Sequence, residues 1–134
     1  MLKKIHHIGI IVEDFEAKIK KFEGFGLRCT EKIEKKQDGL KLAFFPIGDT
    51  LLEIISYPPG KEWDYVTTVV RAHKDVVNHI CFEVDDMDGA IRDFEKNGAR
   101  LGEGSPQDGA TGRIAFFHPE TTAGVLIELC EPSP

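Results

Sequence analysis

One module occurs twice in the chain, and that repetition constrains the fold more than any other feature. The stretch His7-Ile8-Gly9-Ile10-Ile11-Val12-Glu13-Asp14 recurs, 72 residues on, as His79-Ile80-Cys81-Phe82-Glu83-Val84-Asp85-Asp86. At the same offset Ile19 matches Ile91, Phe22 matches Phe94, Glu23 matches Glu95 and Gly26 matches Gly98. Ala43-Phe44-Phe45 likewise matches Ala115-Phe116-Phe117. The register then slips by three, so that Leu52-Glu53-Ile54 matches Ile127-Glu128-Leu129. A constant offset across gap-free segments defines two copies: module one over about 3–57 and module two over about 76–131, joined by a linker over 58–75. At 134 residues the two copies amount to a single domain with room for a real core.

Each module reads as strand, helix and three further strands, an α+β pattern of two tandem βαβββ units. Residues 5–12 alternate and are rich in β-branched side chains, which predicts a strand. Asp14 and Asp86 stand where they can cap the following helices, whose apolar positions Phe15, Ile19, Phe22 and Met87, Ile91, Phe94 keep helical spacing. Gly26 and Gly98 are expected to end those helices. Strands are expected near 27–34, 40–46 and 51–56, and near 99–103, 113–118 and 124–130. The linker opens Tyr57-Pro58-Pro59-Gly60, and its later part, Trp63 to His73, carries Trp63, Val66 and Val70 at the spacing of a short amphipathic helix. Gly102 to Gly112 reads as a loop.

Side chains alternate across a strand, and that parity sorts the polar residues. Ile8, Ile10 and Val12 belong to one face, as do Ile80, Phe82 and Val84, and these apolar faces are expected to pack on the helices. His7 and His79 then lie on the open face of the sheet. Leu52 and Ile54 pack inward, leaving Glu53 on the open face. Val125, Ile127 and Leu129 do the same for Glu128. Each module thus offers one His and one carboxylate at equivalent places. Two buried carboxylates are costly unless a cation neutralises them. A divalent ion does so and also explains the imidazoles. Two nitrogens and two oxygens suit Zn, Ni, Co, Mn or Fe without choosing among them.

Other groups are read more plainly. Cys29, Cys81 and Cys130 form no CxxC pair and are expected to be reduced core thiols without a metal or redox role. His6 faces away from His7 and is expected at the surface or against a helix. His73 in the linker is expected to be solvated. His118 stands where it can reach a substrate or serve a structural end. The net charge of −6 argues against nucleic acid. The apolar runs are far shorter than the ~20 residues of a membrane span. The N-terminus is too polar for a secretory signal.

The chain resembles the vicinal oxygen chelate (glyoxalase/bleomycin resistance/dioxygenase) superfamily over nearly its whole length, and within it the methylmalonyl-CoA epimerases. The likeness rests on HHIGIIVED, GDTLLEII, NHICFEVDDMDGAI and DGATGRIAFFHPETTAGVLIEL. It implies a single domain, 1–134, in which the two modules form a cupped mixed β-sheet around a central metal site. His7, His79 and Glu128 fall on superfamily ligand positions, and Glu53 falls where epimerases carry Gln or Glu. One divalent ion per site is implied, with two cis positions left for water or substrate oxygens. The implied chemistry is metal-dependent proton transfer next to a thioester carbonyl, with Glu128 and Glu53 as the catalytic carboxylates. Arg113, with Lys41 and Lys61, is a candidate for the phosphates of CoA, and His118 for a substrate contact. One departure stands out: some epimerases carry a catalytic Glu on the third strand, where this chain has Leu42. The alternatives are a lactoylglutathione lyase acting on a hemithioacetal and a non-enzymatic drug-binding protein of the same fold. The full ligand set argues against the binder, and Glu53 as a fourth ligand argues against a ring-cleaving dioxygenase. The expected partners are an acyl-CoA or glutathione-adduct substrate and a second copy of the chain in a homodimer, in the cytoplasm.

Overall fold

The computed structural model describes residues 1–35, 39–58, 74–109 and 112–133. The helix expected over Trp63 to His73, with Lys61 and His73 themselves, lies outside the described residues. Two compact units emerge, one of Met1–His6 with His79–Pro134 and the other of His7–Asn78.

Strand β1 (Leu2–Ile11) enters the unit of His7–Asn78 at His7 and is followed there by helix α1 (Phe15–Gly24) and strands β2 (Glu31–Lys35), β3 (Leu40–Ile47) and β4 (Thr50–Ser56). The strands pair in the order β2-β3-β4-β1, with β1 parallel to β4 and the other pairs antiparallel. The β3–β4 hairpin closes between Ile47 and Thr50 around Gly48-Asp49. Gly48, at φ 59°, supplies the positive φ that a two-residue turn between right-twisted strands requires. Val12, Phe15, Ile19, Ala43, Phe45 and Ile54 form the core under α1.

The other unit repeats this plan. Strand β5 (Val77–Val84) leads to helix α2 (Met87–Lys96), then β6 (Gln107–Gly109), β7 (Gly112–Phe116) and β8 (Ile127–Glu131). The pairing order is β5-β8-β7-β6, with β5 parallel to β8 and the rest antiparallel. Its core joins Val84, Met87, Ala90, Ile91, Ala115, Phe117 and Leu129. The fold is therefore α+β, two βαβββ modules with a mixed sheet in each, as the repeat predicts.

The helix ends follow the sequence in both copies. The Asp14 carboxylate accepts from the Ala17 N–H at 3.1 Å, and the Asp86 carboxylate from the Gly89 N–H at 3.1 Å. At the other ends Gly26 (φ 98°) and Gly98 (φ 92°) turn the chain. Leu27 N–H then bonds back to Phe22 C=O, and Ala99 N–H to Phe94 C=O. Asp86→Ala is expected to cost about 1 kcal/mol, the usual worth of an N-cap, with no change in metal content. A urea melt checks this, and an unchanged midpoint would deny Asp86 the capping role.

Three boundaries depart from expectation. The strand expected at 99–103 reduces to a single bridge between Leu101 and Phe117. The Gly102 N–H still bonds to the Phe116 C=O at 2.7 Å, after which Gly104 at φ 82° and Pro106, which lacks an N–H, end the ladder. The pairing strand forms instead at Gln107–Gly109, inside the stretch read as loop. In module one β2 begins at Glu31 rather than Leu27, because Leu27 and Cys29 pack under α1. Strand β8 begins at Ile127, after a turn through Ala123 (φ 61°) and Gly124 (φ 81°). Val125 consequently stays 42% exposed instead of packing inward, and Leu126 is buried in its place.

Candidate metal centre

In the first unit, parallel pairing sets Gly9 opposite Glu53 and His7 opposite Leu51. Leu52 and Ile54 go to the core under α1, so Glu53 takes the other face with His7. Both are buried, at 1% exposure for His7 and 5% for Glu53. The His7 Nε2 lies 3.6 Å from Glu53 Oε1. On β3 the residue opposite Glu53 is Phe44, itself buried.

The second unit builds the same pair at the equivalent register. Cys81 stands opposite Glu128, as Gly9 does opposite Glu53. Ile127 and Leu129 pack toward α2 and send Glu128 to the other face. His79 Nε2 lies 3.2 Å from Glu128 Oε1, and the two residues are 3% and 4% exposed. Phe116 stands opposite Glu128 and meets the His79 ring edge-on at 5.8 Å between centroids. Each carboxylate is thus walled by a phenylalanine, which keeps water away and raises the cost of an uncompensated charge. Each unit carries a buried His–Glu pair of nitrogen and oxygen donors, a set that fits a divalent ion.

Leu42 is buried on the same face as Glu53, in a cluster with Ile11, Phe44 and Ile55. No proton carrier stands at that third-strand position. Arg113 is paired with Glu131 in register, on the face of β7 opposite Glu128. Its guanidinium lies 3.7 Å from Asp88 and 4.0 Å from Glu131, beside a cavity of about 290 Å³ also lined by Asp108 and Ser133. Lys41 sits over the Phe15 ring, on the helix side. His118 is held on both ring nitrogens, 3.1 Å from the Arg100 guanidinium and 3.2 Å from the Glu103 carboxylate. A bond from its own backbone N–H lowers the Glu103 pKa, with His118 and Arg100 adding to the shift. His118 therefore clamps the 102–105 turn to the chain after β7, the structural use that the sequence left open.

One cluster was not anticipated. His6, Cys81 and Cys130 bring an imidazole nitrogen and two sulfurs within 4.8 Å of one another. His6 is half-buried and both thiols are fully buried. A hydrogen bond with Cys81 pulls the Cys130 thiol down to about 6, with His6 aiding and burial opposing. For the two thiols, though not for His6, the signal was present in the spacing. Cys81 lies two residues beyond His79 and Cys130 two beyond Glu128, so strand parity puts both sulfurs on the ligand face.

The model of the Glyoxalase/Bleomycin resistance protein/Dioxygenase superfamily matches residues 6–117. The chain is 28% identical over 130 residues to human mitochondrial methylmalonyl-CoA epimerase, covering 96% of this chain and 73% of the human protein. It is 29% identical to the ethylmalonyl-CoA/methylmalonyl-CoA epimerase of Cereibacter sphaeroides, covering 96% and 98%. Among solved structures, a single-residue variant of Streptomyces coelicolor methylmalonyl-CoA epimerase, in complex with 2-nitronate-propionyl-CoA, matches at a TM-score of 0.82 and 26% identity, covering all of both chains. Among the described residues no helix is long and apolar enough to cross a membrane.

Proposed function

The chain belongs to the Glyoxalase/Bleomycin resistance protein/Dioxygenase superfamily, and from that premise we propose that it is a metal-dependent epimerase acting on a methylmalonyl-CoA-like thioester. The observation that carries the reading is the pair of buried carboxylates, Glu53 and Glu128, each beside a histidine at an equivalent register. His7, Glu53, His79 and Glu128 together would hold one divalent ion. When bound, that ion polarises the thioester carbonyl and acidifies the adjacent C–H.

The residues then divide the work. Epimerisation takes the α-proton from one face of the carbon and returns a proton to the other. A carboxylate oxygen accepts the proton while the C–H electron pair moves onto the carbonyl oxygen, and an acid on the opposite face completes the inversion. With Leu42 unable to carry a proton, Glu128 and Glu53 are the proposed base and acid, Glu128 being the more essential. Phe44 and Phe116 keep the site dry, which strengthens its electrostatics. Arg113, 42% exposed along its side chain, is the proposed contact for a CoA phosphate on the helix side of β7, away from the carboxylate face. The reading includes a homodimer in the cytoplasm.

The test is isotope exchange. The metal-loaded protein, incubated with methylmalonyl-CoA in D₂O, is expected to wash deuterium into the α-carbon and to show no turnover of methylglyoxal with glutathione. Lyase turnover without exchange would assign the site to the glyoxalase reaction instead. Neither activity, with several metals supplied, would remove both.

A further inference from the structure

We propose that His6, Cys81 and Cys130 form a second metal site, selective for a thiophilic ion of the zinc class. It lies within one unit of the fold, made of the His6 end of β1 with β5 and β8. Cys81 and Cys130 come from adjacent parallel strands, where Cys81 stands opposite Glu128 and Cys130 opposite Glu83. The register thus staggers the two sulfurs by one step along the same sheet face.

A plain alternative is a pair of small apolar thiols filling space. Beside them stands a third member, an imidazole that hydrogen-bonds to the Cys130 thiol and whose nitrogen is within 4.8 Å of both sulfurs. Metal–sulfur bonds run to ~2.3 Å, so two sulfurs on one tetrahedral ion stand ~3.8 Å apart. With the ligand atoms within 4.8 Å of one another, the site needs at most about 1 Å of closure. One nitrogen and two sulfurs make a Cys₂His set, which leaves a fourth position open to water or a small anion.

The charges also close. A divalent ion entering the site displaces one proton from each thiol to solvent, and two thiolates with one dication sum to zero. The burial of both sulfurs is then no obstacle, since no net charge is stranded. Donor type separates this site from the His–Glu pairs. Soft thiolates favour zinc-class and softer ions, whereas nitrogen and carboxylate oxygen take the harder ones. The proposal does not depend on the epimerase reading.

Cobalt(II) reports the difference by colour. The metal-free, reduced chain titrated with Co(II) alone is expected to develop a thiolate-to-cobalt charge-transfer band in the near ultraviolet. Cd(II) should displace it. Nitrogen and oxygen donors give no such band, so ions at the His–Glu pairs stay silent. Cys130→Ser is expected to abolish the band and lower bound metal by one ion per chain. His6→Ala alters a half-buried residue and keeps both thiols, which guards against a misfolded serine variant. It should weaken Co(II) binding by at least the roughly 10-fold that even an outer ligand partner is worth. A folded native chain without the band at saturating Co(II) would overturn the site. So would a band that survives Cys130→Ser, or unchanged Co(II) affinity in His6→Ala.

Discussion

Glu128→Gln is expected to lower methylmalonyl-CoA exchange by about 10²–10⁴-fold while the protein keeps its metal. The amide preserves an oxygen donor and the shape of the side chain, and removes only the basic carboxylate. At 1.36 kcal/mol per tenfold, the loss corresponds to roughly 3–5 kcal/mol of transition-state stabilisation. Glu53→Gln is the matched control. It is expected to keep its metal and, as the proposed acid, to lose turnover as well, though less than Glu128→Gln does. Elemental analysis and D₂O exchange on both variants decide the matter. Full metal in both, with Glu53→Gln the slower enzyme, would reverse the two roles. Loss of metal from Glu128→Gln would make that residue a ligand first and leave its part in proton transfer to Glu53.

The second large effect is on stability. Phe117→Ala is expected to destabilise the fold by about 3–5 kcal/mol, as full truncation of a buried aromatic does. Phe117 is 0% exposed and stacks on Phe94 at 4.8 Å between ring centroids. Its repeat partner Phe45 is also 0% exposed and meets Phe22 edge-on at 5.9 Å. The two ring pairs anchor each helix to its own sheet, so Phe45→Ala should cost a similar amount. Folded domains hold only about 5–15 kcal/mol in total, so either change removes a large share. Urea melts of both variants provide the comparison. A cost under about 1 kcal/mol at Phe117 would show that the second module collapses around the gap and is packed unlike the first.

What the chain discloses in advance is what period and repetition control. Alternation alone assigns His7 and Glu53 to one face, and the second copy says the same of His79 and Glu128. The caps at Asp14 and Asp86 are equally local, needing only a carboxylate before a helical run. The misplaced elements are those that local chemistry does not decide. Leu101 looks like a strand residue by composition, but the glycines and proline after it surrender the pairing to Gln107–Gly109. Val125 continues an apolar run, yet the positive φ of Ala123 and Gly124 turns it outward. Arg113 shows parity unused: Ala115, two residues on, is core under α2, so Arg113 had to share that face and find Asp88. Cysteine hides its meaning best, since the same thiol serves as filler or as ligand and only a neighbouring imidazole tells them apart.

The connection over 46–51, with its tight turn at Gly48-Asp49, and its counterpart over 118–126, with a 3-10 turn at Pro119–Thr121, differ by the three residues at which the repeat slips. Both connections lead into the strand that carries the ligand carboxylate. Lengthening such a connection costs little closure entropy, only ~0.6 kcal/mol per doubling. A duplicated ancestor could therefore rewrite one tip while the inherited ladder held Glu53 and Glu128 at matching heights. Each copy kept its chemistry on the inherited ladder and let the likeness lapse at the connection, which is a bare bend in one and a histidine clasp in the other.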